Sequence, residues 1–381
     1  MPLKVMTIFG TRPEAVKMAP LVKELESRAE IESICCITAQ HRQMLDDVLS
    51  LFAITPHYDL DIMEAGQSLY TITSKCLLGL ETVFTREKPD LVLVHGDTST
   101  TFAGALAAFY QKIDVGHVEA GLRTGDRYSP FPEEINRTLV GDLARLHFCP
   151  TPANRENLAR EGIQTGIYLT GNTVIDALKT TVRPTYSFRT ALLNTLEYEK
   201  RQVILVTCHR RENYGQPMVH IMRALRRVAE DFPQAELVYP VHLSPVVQEV
   251  ARAHLSGLDN VHLIDPLTPD EMHNLMARVS FVMTDSGGLQ EEAPALGKPV
   301  LVLRRETERP EAVAAGTVRL AGTEEEEVYA QTARLLTDPV SYEAMAKAVN
   351  PYGDGFACRR IVDAILWEKG LRSQPPEEFH V

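Results

Sequence analysis

The chain has 381 residues, of which 44% are hydrophobic and 24% charged, and its formal net charge is −12. That length fits two domains of roughly 150 to 200 residues each, and the acidic balance argues against a general nucleic-acid or membrane-surface binder. The sequence has neither the ~18-residue apolar stretch of a membrane span nor the features of a signal peptide, so we expect a cytoplasmic protein.

The first half of the chain alternates short β-rich runs with longer amphipathic stretches. Its strand candidates are Val5–Phe9, Ile34–Thr38, Leu91–His95, Val115–Val118, Leu146–Cys149 and Ile167–Leu169. Its helical candidates are Pro13–Ser27, Leu69–Arg86, Thr100–Tyr110, Glu133–Ala144 and Pro152–Arg160. The strand candidates are continuous apolar runs, which are typical of strands buried on both faces of a parallel sheet.

The second half repeats this alternation. Its strand candidates are Val203–Thr207, Glu236–Tyr239, Val261–Leu263, Phe281–Met283 and Val300–Leu303. Its helical candidates are Met218–Asp231, Pro245–Leu255, Asp270–Ala277 and Leu289–Leu296. The segment from about Thr180 to Arg201 lacks a clear strand, and we interpret it as a linker. We therefore expect one domain at residues 1–180, a second at 201–355 and a C-terminal segment at 356–381.

Two βαβ series in tandem predict an α/β protein with two doubly wound, Rossmann-like domains. Ligands of open α/β sheets bind outside the carboxyl ends of the strands. We therefore expect the active site in the cleft between the domains, and the polar residues that follow each strand are the candidates for it.

Charged residues follow several strand candidates of the first domain. After the first strand, Arg12 and Lys17 lie at the start of a predicted helix, where backbone N–H groups favour an anion; a capped turn with solvated charges is the alternative. Asp97 follows the strand that ends at His95, and it is either a functional carboxylate or a helix N-cap.

Glu119 is the first residue after a buried strand candidate, a position where a carboxylate needs a partner. Arg123 is a candidate for that partner in a purely structural ion pair, but the carboxylate's position favours a functional role. Glu133 and Glu134 begin a predicted helix, where acidic residues are ordinary partners of the helix dipole.

Polar residues also follow two strand candidates of the second domain. His209 and Arg210 come directly after the first, and such side chains suit a diphosphate, while histidine also carries a proton. Ser286, Gly287 and Gly288 follow another strand, and their backbone N–H groups are suited to cradle a phosphate. Glu292, one turn into the following helix, is placed to reach a ribose diol; the alternative is a capped turn.

The six cysteines are scattered, with no pair at CxxC spacing. This distribution argues against a disulfide framework or a zinc site and favours buried, reduced thiols. The sequence predicts no metal site.

Taken in order, these segments resemble the bacterial non-hydrolysing UDP-N-acetylglucosamine 2-epimerases over nearly the whole chain. Any single motif is weak, whereas the ordered set is specific. The segments are Gly10–Glu14 (GTRPE), His95–Thr98 (HGDT), Gly116–Arg123 (GHVEAGLR), Ser129–Glu134 (SPFPEE), Gly171–Thr173 (GNT), His209–Asn213 (HRREN), Tyr239–His242 (YPVH), Thr284–Pro294 (TDSGGLQEEAP), Thr307–Glu311 (TERPE) and Asn350–Gly355 (NPYGDG).

The resemblance implies a fold of the glycosyltransferase-B type, a homodimer and reversible conversion of UDP-N-acetylglucosamine to UDP-N-acetylmannosamine for surface polysaccharide. It implies a route through elimination of UDP to a 2-acetamidoglucal and re-addition, which needs no redox cofactor. It also implies that the last helix, near Arg359–Lys369, crosses back onto the first domain.

Site residues also follow from the resemblance. Asp97, Glu119, Glu133 and His209 match the family's catalytic residues, and Arg12 and Lys17 match its basic active-site residues. The nucleotide-binding loop is matched by Ser286, Gly287, Gly288 and Glu292. Which carboxylate serves which face of the sugar C2 atom stays open.

In bacterial members of the family the substrate also binds beside the active site as an activator. The residues matching that second site are Gln40, Gln43, Glu133, Arg210 and His242. Gly66 is a departure, because several members carry arginine in the corresponding segment, and the departure bears on the affinity for the activator.

Three other functions are weighed against this one. A hydrolysing 2-epimerase shares the fold and the first step but releases free N-acetylmannosamine and UDP. A glycosyltransferase of the same fold needs an acceptor groove. A nucleotide-sugar sensor without turnover has no need for the dense set of acid and base groups.

Overall fold

The computed structural model describes residues 2–40, 42–64 and 66–380, with only the backbone of Gln43 and Met44. These residues form two compact units, one built from residues 2–180 together with 352–380 and the other from 181–351. The second unit takes in residues 181–200, the segment interpreted from the sequence as a linker.

The first unit contains a seven-stranded sheet within the described residues. Its strands are β1 (Leu3–Phe9), β2 (Ile31–Ile37), β3 (Tyr58–Asp59), β4 (Leu91–His95), β5 (Asp114–Val118), β6 (Leu146–Cys149) and β7 (Ile167–Leu169). All neighbouring pairs are parallel, in the order β3-β2-β1-β4-β5-β6-β7. The helices that alternate with them are α1 (Arg12–Glu26), α2 (Arg42–Leu51), α3 (Leu69–Glu87), α4 (Ser99–Tyr110), α5 (Glu133–Leu143), α6 (Pro152–Arg160) and α7 (Thr173–Thr181).

The second unit repeats the plan with six parallel strands in the order β10-β9-β8-β11-β12-β13. The strands are β8 (Gln202–Thr207), β9 (Ala235–Pro240), β10 (Val261–Ile264), β11 (Phe281–Thr284), β12 (Val300–Val302) and β13 (Val318–Leu320). The helices are α8 (Gln216–Asp231), α9 (Pro245–Leu255), α10 (Pro269–Arg278), α11 (Leu289–Ala295), α12 (Pro310–Ala315), α13 (Glu325–Thr337) and α14 (Pro339–Ala346).

The last helix, α15 (Ala357–Glu368), belongs to the first unit. Its first two backbone N–H groups, those of Ala357 and Cys358, donate to the Asp176 carboxylate of α7 at 3.1 and 2.9 Å. A carboxylate at a helix N-terminus satisfies N–H groups that have no partner within the helix and lies at the positive end of the helix dipole. The same helix packs against α1.

The inner strands of both sheets are mostly buried, as their composition predicts, whereas the edge strands β3, β7, β10 and β13 are only partly buried. Every residue of β4 and of β9 is buried, and β8 is buried from Val203 to Thr207. Strands covered on both faces are predominantly apolar, and with the all-parallel pairing the prediction of two parallel α/β sheets is confirmed. The carboxyl ends of β1, β4 and β5 lie side by side in the first sheet, as do those of β8 and β11 in the second. The loops after these strands therefore lie close together within each unit.

Two further predictions can be checked on the described residues. All six cysteines are buried and unbonded to one another, as expected from their spacing. In the part of the chain that the structure describes, no helix combines the length and the apolar character needed to cross a membrane.

Candidate active site

Glu119 lies at the carboxyl end of β5 in a left-handed backbone conformation, with φ of 62°. Its Oε2 atom forms an ion pair with Lys17 of α1 and accepts a hydrogen bond of 3.0 Å from the Asn172 side chain. The His95 Nε2 atom lies 3.7 Å from the same oxygen. Burial lowers the pKa of His95 to about 4, although the Glu119 charge acts in the opposite direction. His95 is therefore neutral at pH 7.

Asp97 follows β4 and pairs with Arg137 of α5. The Arg137 Nε and Nη2 atoms lie 2.9 and 2.7 Å from Asp97 Oδ2, and the Asn136 amide donates to the Asp97 carbonyl at 2.8 Å. Burial raises the pKa of Asp97; the Glu119 charge adds to this and Arg137 opposes it. Thr98, not Asp97, caps α4 through its hydroxyl. The N-cap alternative for Asp97 is therefore wrong.

Arg123 pairs with Glu161 and not with Glu119. Its Nε and Nη2 atoms donate to the two carboxylate oxygens of Glu161, both at 2.7 Å. The structural ion pair considered between Arg123 and Glu119 is therefore wrong. The reason is that Lys17, from helix α1, pairs with the Glu119 carboxylate instead.

Glu133 is the first residue of α5 and lies four positions before Arg137, on the same face of the helix. Its Oε2 atom is buried and forms no hydrogen bond with the described residues. The next residue, Glu134, has a structural role, because it accepts from the backbone N–H groups of Thr124 and Gly125 and pairs with Arg137 at 3.0 Å. The two adjacent glutamates therefore differ in how well their carboxylates are satisfied.

Glu14 organises the start of α1, the helix that carries Arg12 and Lys17. It is buried in the first turn of α1 and accepts from the backbone N–H groups of Gly10 and Thr11 at 3.0 and 2.8 Å. The Thr98 and Thr101 hydroxyls donate to its other oxygen at 2.7 and 3.0 Å. Burial raises the pKa of Glu14 against these hydrogen bonds. One carboxylate thus ties the loop after β1 to the loop after β4.

In the second unit, Asp285 joins the loops after β8 and β11. The backbone N–H groups of His209 and Arg210 donate to its Oδ2 atom at 2.7 and 2.8 Å, and the Asn213 amide donates at 3.1 Å. The His209 ring stacks on that of His242, with centroids 5.3 Å apart and an interplanar angle of 10°. The structure therefore brings together three polar residues that follow three neighbouring strands.

The loop at Ser286–Gly288 is packed against buried charges. A Cβ atom on Gly287 would lie 2.7 Å from Arg309 Nη1 and 3.1 Å from Glu308 Oε1. The same Glu308 oxygen lies 3.6 Å from Arg210 Nη2. Although burial acts to raise it, the guanidinium groups of Arg309 and Arg304 lower the pKa of Glu308 to about 2. Arg210 therefore lies beside an ionised carboxylate that also leaves no room for a side chain at Gly287.

The remaining candidates for the nucleotide site lie on either side of Gly287. The Ser286 N–H donates to the Thr284 hydroxyl at 2.9 Å, so part of the expected phosphate cradle is held by the chain itself. Glu292, in the first turn of α11, lies 3.5 Å from His273 Nε2 through its Oε2 atom.

The candidates for an activator site lie in both units. The Gln40 side chain accepts from the Thr100 hydroxyl at 3.2 Å in the first unit, and His242 Nδ1 accepts from the Ser244 N–H at 3.0 Å in the second. The side chain of Gln43 lies outside what the structure describes. Arg210 has the contacts with Asp285 and Glu308 given above.

The residues that sequence reasoning missed are the partners of those it found. Asn172 binds the Glu119 carboxylate and Arg137 binds that of Asp97. Asp285 binds the loop after β8 that carries His209, which we call the histidine loop. Asn172 and Asp285 lie inside the segments that carry the family resemblance, and both follow predicted strands. Their position after a strand could have marked Asn172 and Asp285 as candidates, but the sequence did not predict which side chains or N–H groups they bind.

Two Rossmann-like units of parallel strands, each with charged residues after its strand ends, define an α/β protein of the glycosyltransferase-B fold class. The family model described as UDP-N-acetylglucosamine 2-epimerase matches residues 23–366. The chain belongs to this family.

Relatives match the chain over almost its full length. The UDP-N-acetylglucosamine 2-epimerase of Bacillus subtilis is 57% identical over 378 residues, covering 99% of this chain and 98% of its own. That of Escherichia coli is 53% identical over 369 residues, covering 95% and 98%. The crystal structure of the Neisseria meningitidis UDP-GlcNAc 2-epimerase bound to UDP-GlcNAc is 48% identical, with a TM-score of 0.86 and coverage of 96% and 100%.

Proposed function

We propose that this chain interconverts UDP-N-acetylglucosamine and UDP-N-acetylmannosamine without releasing free sugar. The observation that carries the proposal is the cluster of Glu119, Lys17 and His95, with Asp97 on the neighbouring strand end, in a chain of this family. The Neisseria relative is described as bound to UDP-GlcNAc, which supports the same substrate for this chain.

The proposed route is an elimination followed by re-addition. The C2 proton of the bound sugar is not acidic, because no carbonyl group lies beside it. When the C1–O bond breaks and UDP leaves with the bonding electrons, positive charge develops at C1 and a base can remove the C2 proton. The products are 2-acetamidoglucal and UDP. Re-addition forms the C1–O bond again and delivers a proton to the opposite face of C2, so no atom is lost and no redox step is needed.

Groups of the first unit fit the proton transfers. A base and an acid must act on opposite faces of C2, which one fixed side chain cannot do, so at least two such groups are needed. We assign these transfers to the set Asp97, Glu119 and Glu133. Burial raises the pKa of Asp97, which favours the acid form that a proton donor needs. The buried, unsatisfied oxygen of Glu133 is available to a ligand.

Groups of the second unit fit the nucleotide. The departing diphosphate needs positive charge and N–H dipoles in fixed positions. We assign this to Arg210 and to the backbone N–H groups of Gly287 and Gly288, with Glu292 bound to the ribose and His209 transferring a proton. In the first unit, Arg12 and Lys17 add positive charge. We propose that Asp97, Glu119, Glu133 and His209 are each required.

The test is proton NMR of the purified protein with UDP-N-acetylglucosamine in heavy water. We expect deuterium to appear at C2, with signals of both epimeric nucleotide sugars and no accumulation of free sugar. Accumulation of free N-acetylmannosamine and UDP would instead establish the hydrolysing reaction. Binding without exchange at C2 would leave only a sensor and would contradict the proposal.

A further inference from the structure

Asp285 is the first residue after β11, and its side chain is fully buried. Among the described residues, three nitrogen donors lie within hydrogen-bond distance of one carboxylate oxygen, Oδ2, and all three come from the segment after β8. The donors are the backbone N–H groups of His209 and Arg210 and the side chain of Asn213, at 2.7 to 3.1 Å. Asn213 also donates to the Leu303 carbonyl at 3.0 Å. This oxygen fixes the start of the histidine loop.

The other oxygen, Oδ1, accepts no hydrogen bond from the described residues although it is buried. It lies 3.5 Å from Nδ1 of the His209 ring. The Cys208 thiol also lies beside the Asp285 carboxylate. Burial and the Asp285 charge both raise the pKa of that thiol. A buried carboxylate oxygen without a partner is costly unless it interacts with a polar group. The His209 ring nitrogen is the nitrogen donor that lies nearest to Oδ1, and a thiol is only a weak donor.

We infer that Asp285 is a positioning residue that holds His209 with its proton on Nδ1, which leaves the Nε2 lone pair for the reaction. The inference rests on the proposed function, because it gives His209 a proton to transfer. A histidine that places an N–H toward a carboxylate is fixed in tautomer and orientation, and its other ring nitrogen is then the basic one.

The charges around His209 agree with this role. Burial lowers the pKa of His209, His242 and Arg210 lower it further, and Asp285 alone among these groups raises it. Arg210 is itself 3.6 Å from Glu308. Removing the Asp285 charge should therefore lower the pKa of His209, so that the ring takes up a proton less readily.

The substitution Asp285→Asn distinguishes a role in fixing the His209 tautomer from a role in packing the loop alone. The asparagine oxygen can replace Oδ2 and keep the three hydrogen bonds to the loop. Its NH₂ group then replaces Oδ1 and faces His209 Nδ1 as a donor. We expect the ring to move its proton to Nε2, so that the loop stays in place while the basic nitrogen is lost.

The experiment uses the full-length protein labelled with ¹⁵N-histidine, with His209→Gln to assign the signals. In the unsubstituted protein near pH 7.5 we expect the long-range ¹H–¹⁵N pattern of an Nδ1–H ring for His209. In Asp285→Asn we expect the Nε2–H pattern and a lower pKa. We also expect C2 exchange to slow by about 10- to 100-fold, with the KM for UDP-N-acetylglucosamine changed by less than about threefold.

Glu236→Gln is the matched control. Glu236 is also a buried carboxylate beside a histidine of the second unit, with Oε2 at 2.7 Å from His262 Nε2, but it is near the start of β9. This variant should leave the His209 pattern unchanged. An Nε2–H ring in the unsubstituted protein, which needs no variant to fold, would overturn the inference. So would an unchanged tautomer in folded Asp285→Asn. If instead the unsubstituted protein fails to exchange C2 deuterium, the proposed function fails while the tautomer result still stands.

Discussion

Glu119 has a backbone conformation that only glycine adopts easily. Its φ of 62° lies in the left-handed region, which costs a residue with a Cβ atom on the order of 1–3 kcal/mol and persists where surrounding contacts over-determine it. Lys17 and Asn172 supply such contacts through the carboxylate. A glycine would satisfy the turn without this cost, so the side chain at this position is retained for its carboxylate and not for the turn.

This reasoning predicts the effect of Glu119→Gln. The amide keeps the shape of the side chain and can still accept from Asn172, but it cannot take up a proton. We expect deuterium wash-in at C2 to slow by about 100-fold or more, the contribution typical of general acid–base catalysis. Proton NMR in heavy water measures the rate.

The control for this prediction is Glu161→Gln. Glu161 lies in the same unit and is paired with an arginine, Arg123, outside the site. This variant should keep a near-normal exchange rate. Near-normal exchange in a folded Glu119→Gln protein would remove Glu119 from the proposed mechanism.

At the scale of single residues, the sequence predicted which side chains follow a strand end, but it did not predict their ion-pair partners. Glu119 and Asp97 were identified because they come directly after apolar strands. The partner of Glu119 is Lys17, 102 residues away, and Arg123, only four residues away, pairs elsewhere. Proximity in sequence was a poor guide because β1, β4 and β5 are neighbours in the sheet although long helices separate them along the chain.

The loop after β11 gives a prediction at the scale of an element. In Gly287→Ala the new methyl group would lie 2.7 Å from the Arg309 guanidinium. Arg309 cannot easily move away, because Glu291 and Glu308 hold it at 2.6 and 3.0 Å. We expect a loss of about 1–3 kcal/mol of stability, as is typical of overpacking, and weaker binding of UDP by calorimetry.

Gly288→Ala is the comparison for this loop. Its Cβ atom would approach only the end of the Glu292 side chain, at 3.2 Å, and its backbone φ of −61° suits alanine. We therefore expect a smaller loss of stability than in Gly287→Ala. Equal unfolding midpoints for the two variants in urea would show that the Arg309 contact does not constrain the loop.

Elements with long apolar runs were predictable, and those defined by tertiary contacts were not. Strands such as β4 and β6 have the predicted bounds because five and four consecutive buried residues, respectively, mark them. The three-residue strand β13 and the glutamate-rich start of α13 carry no such signal. The segment at 181–200 has little regular structure of its own. It belongs to the second unit because it packs against α10, for example through the hydrogen bond of 2.6 Å from Tyr186 to Asp270.

At the scale of the whole molecule, local charge differs from the total. The chain carries a formal net charge of −12, yet the proposed diphosphate site of the second unit contains Arg210, with Arg309 and Arg304 close by. Glu212, Glu291 and Glu308 pair with these arginines, and the pKa of Glu308 is lowered to about 2. Total charge alone does not predict this gathering of arginines, which an anionic ligand would meet together with their carboxylate partners.

The sheet of the first unit contains three buried histidines on adjacent strands, and they make its stability depend on pH. His95, His117 and His147 come from β4, β5 and β6, and His117 is paired directly with His147 in the sheet register. Burial lowers their pKa values from 6.5 to about 4, 3 and 4, respectively. Below pH 6.5 the unfolded chain therefore binds protons at these histidines that the folded unit does not.

Stability of the first unit should fall as the pH drops from about 6.5 toward 4, by up to about 1.4 kcal/mol per pH unit for each histidine. Glu14 and Asp97, whose pKa values are raised by burial, act in the opposite direction and reduce the loss. The single tryptophan, Trp367, lies in α15 of the same unit. Its fluorescence during urea unfolding at several pH values therefore reports on this unit.

His147→Gln should make the free energy of unfolding depend less on pH, because the unfolded variant binds at most one proton fewer than the unfolded parent protein. The packing cost of the substitution is measured at pH 7.5, where all three histidines are neutral in both states, so the difference between pH 7.5 and pH 5 isolates the protonation effect. The free energy of unfolding of the variant should fall less over this range than that of the unsubstituted protein. Parallel curves for the two proteins would mean that His147 binds its proton as readily in the folded sheet as in the unfolded chain.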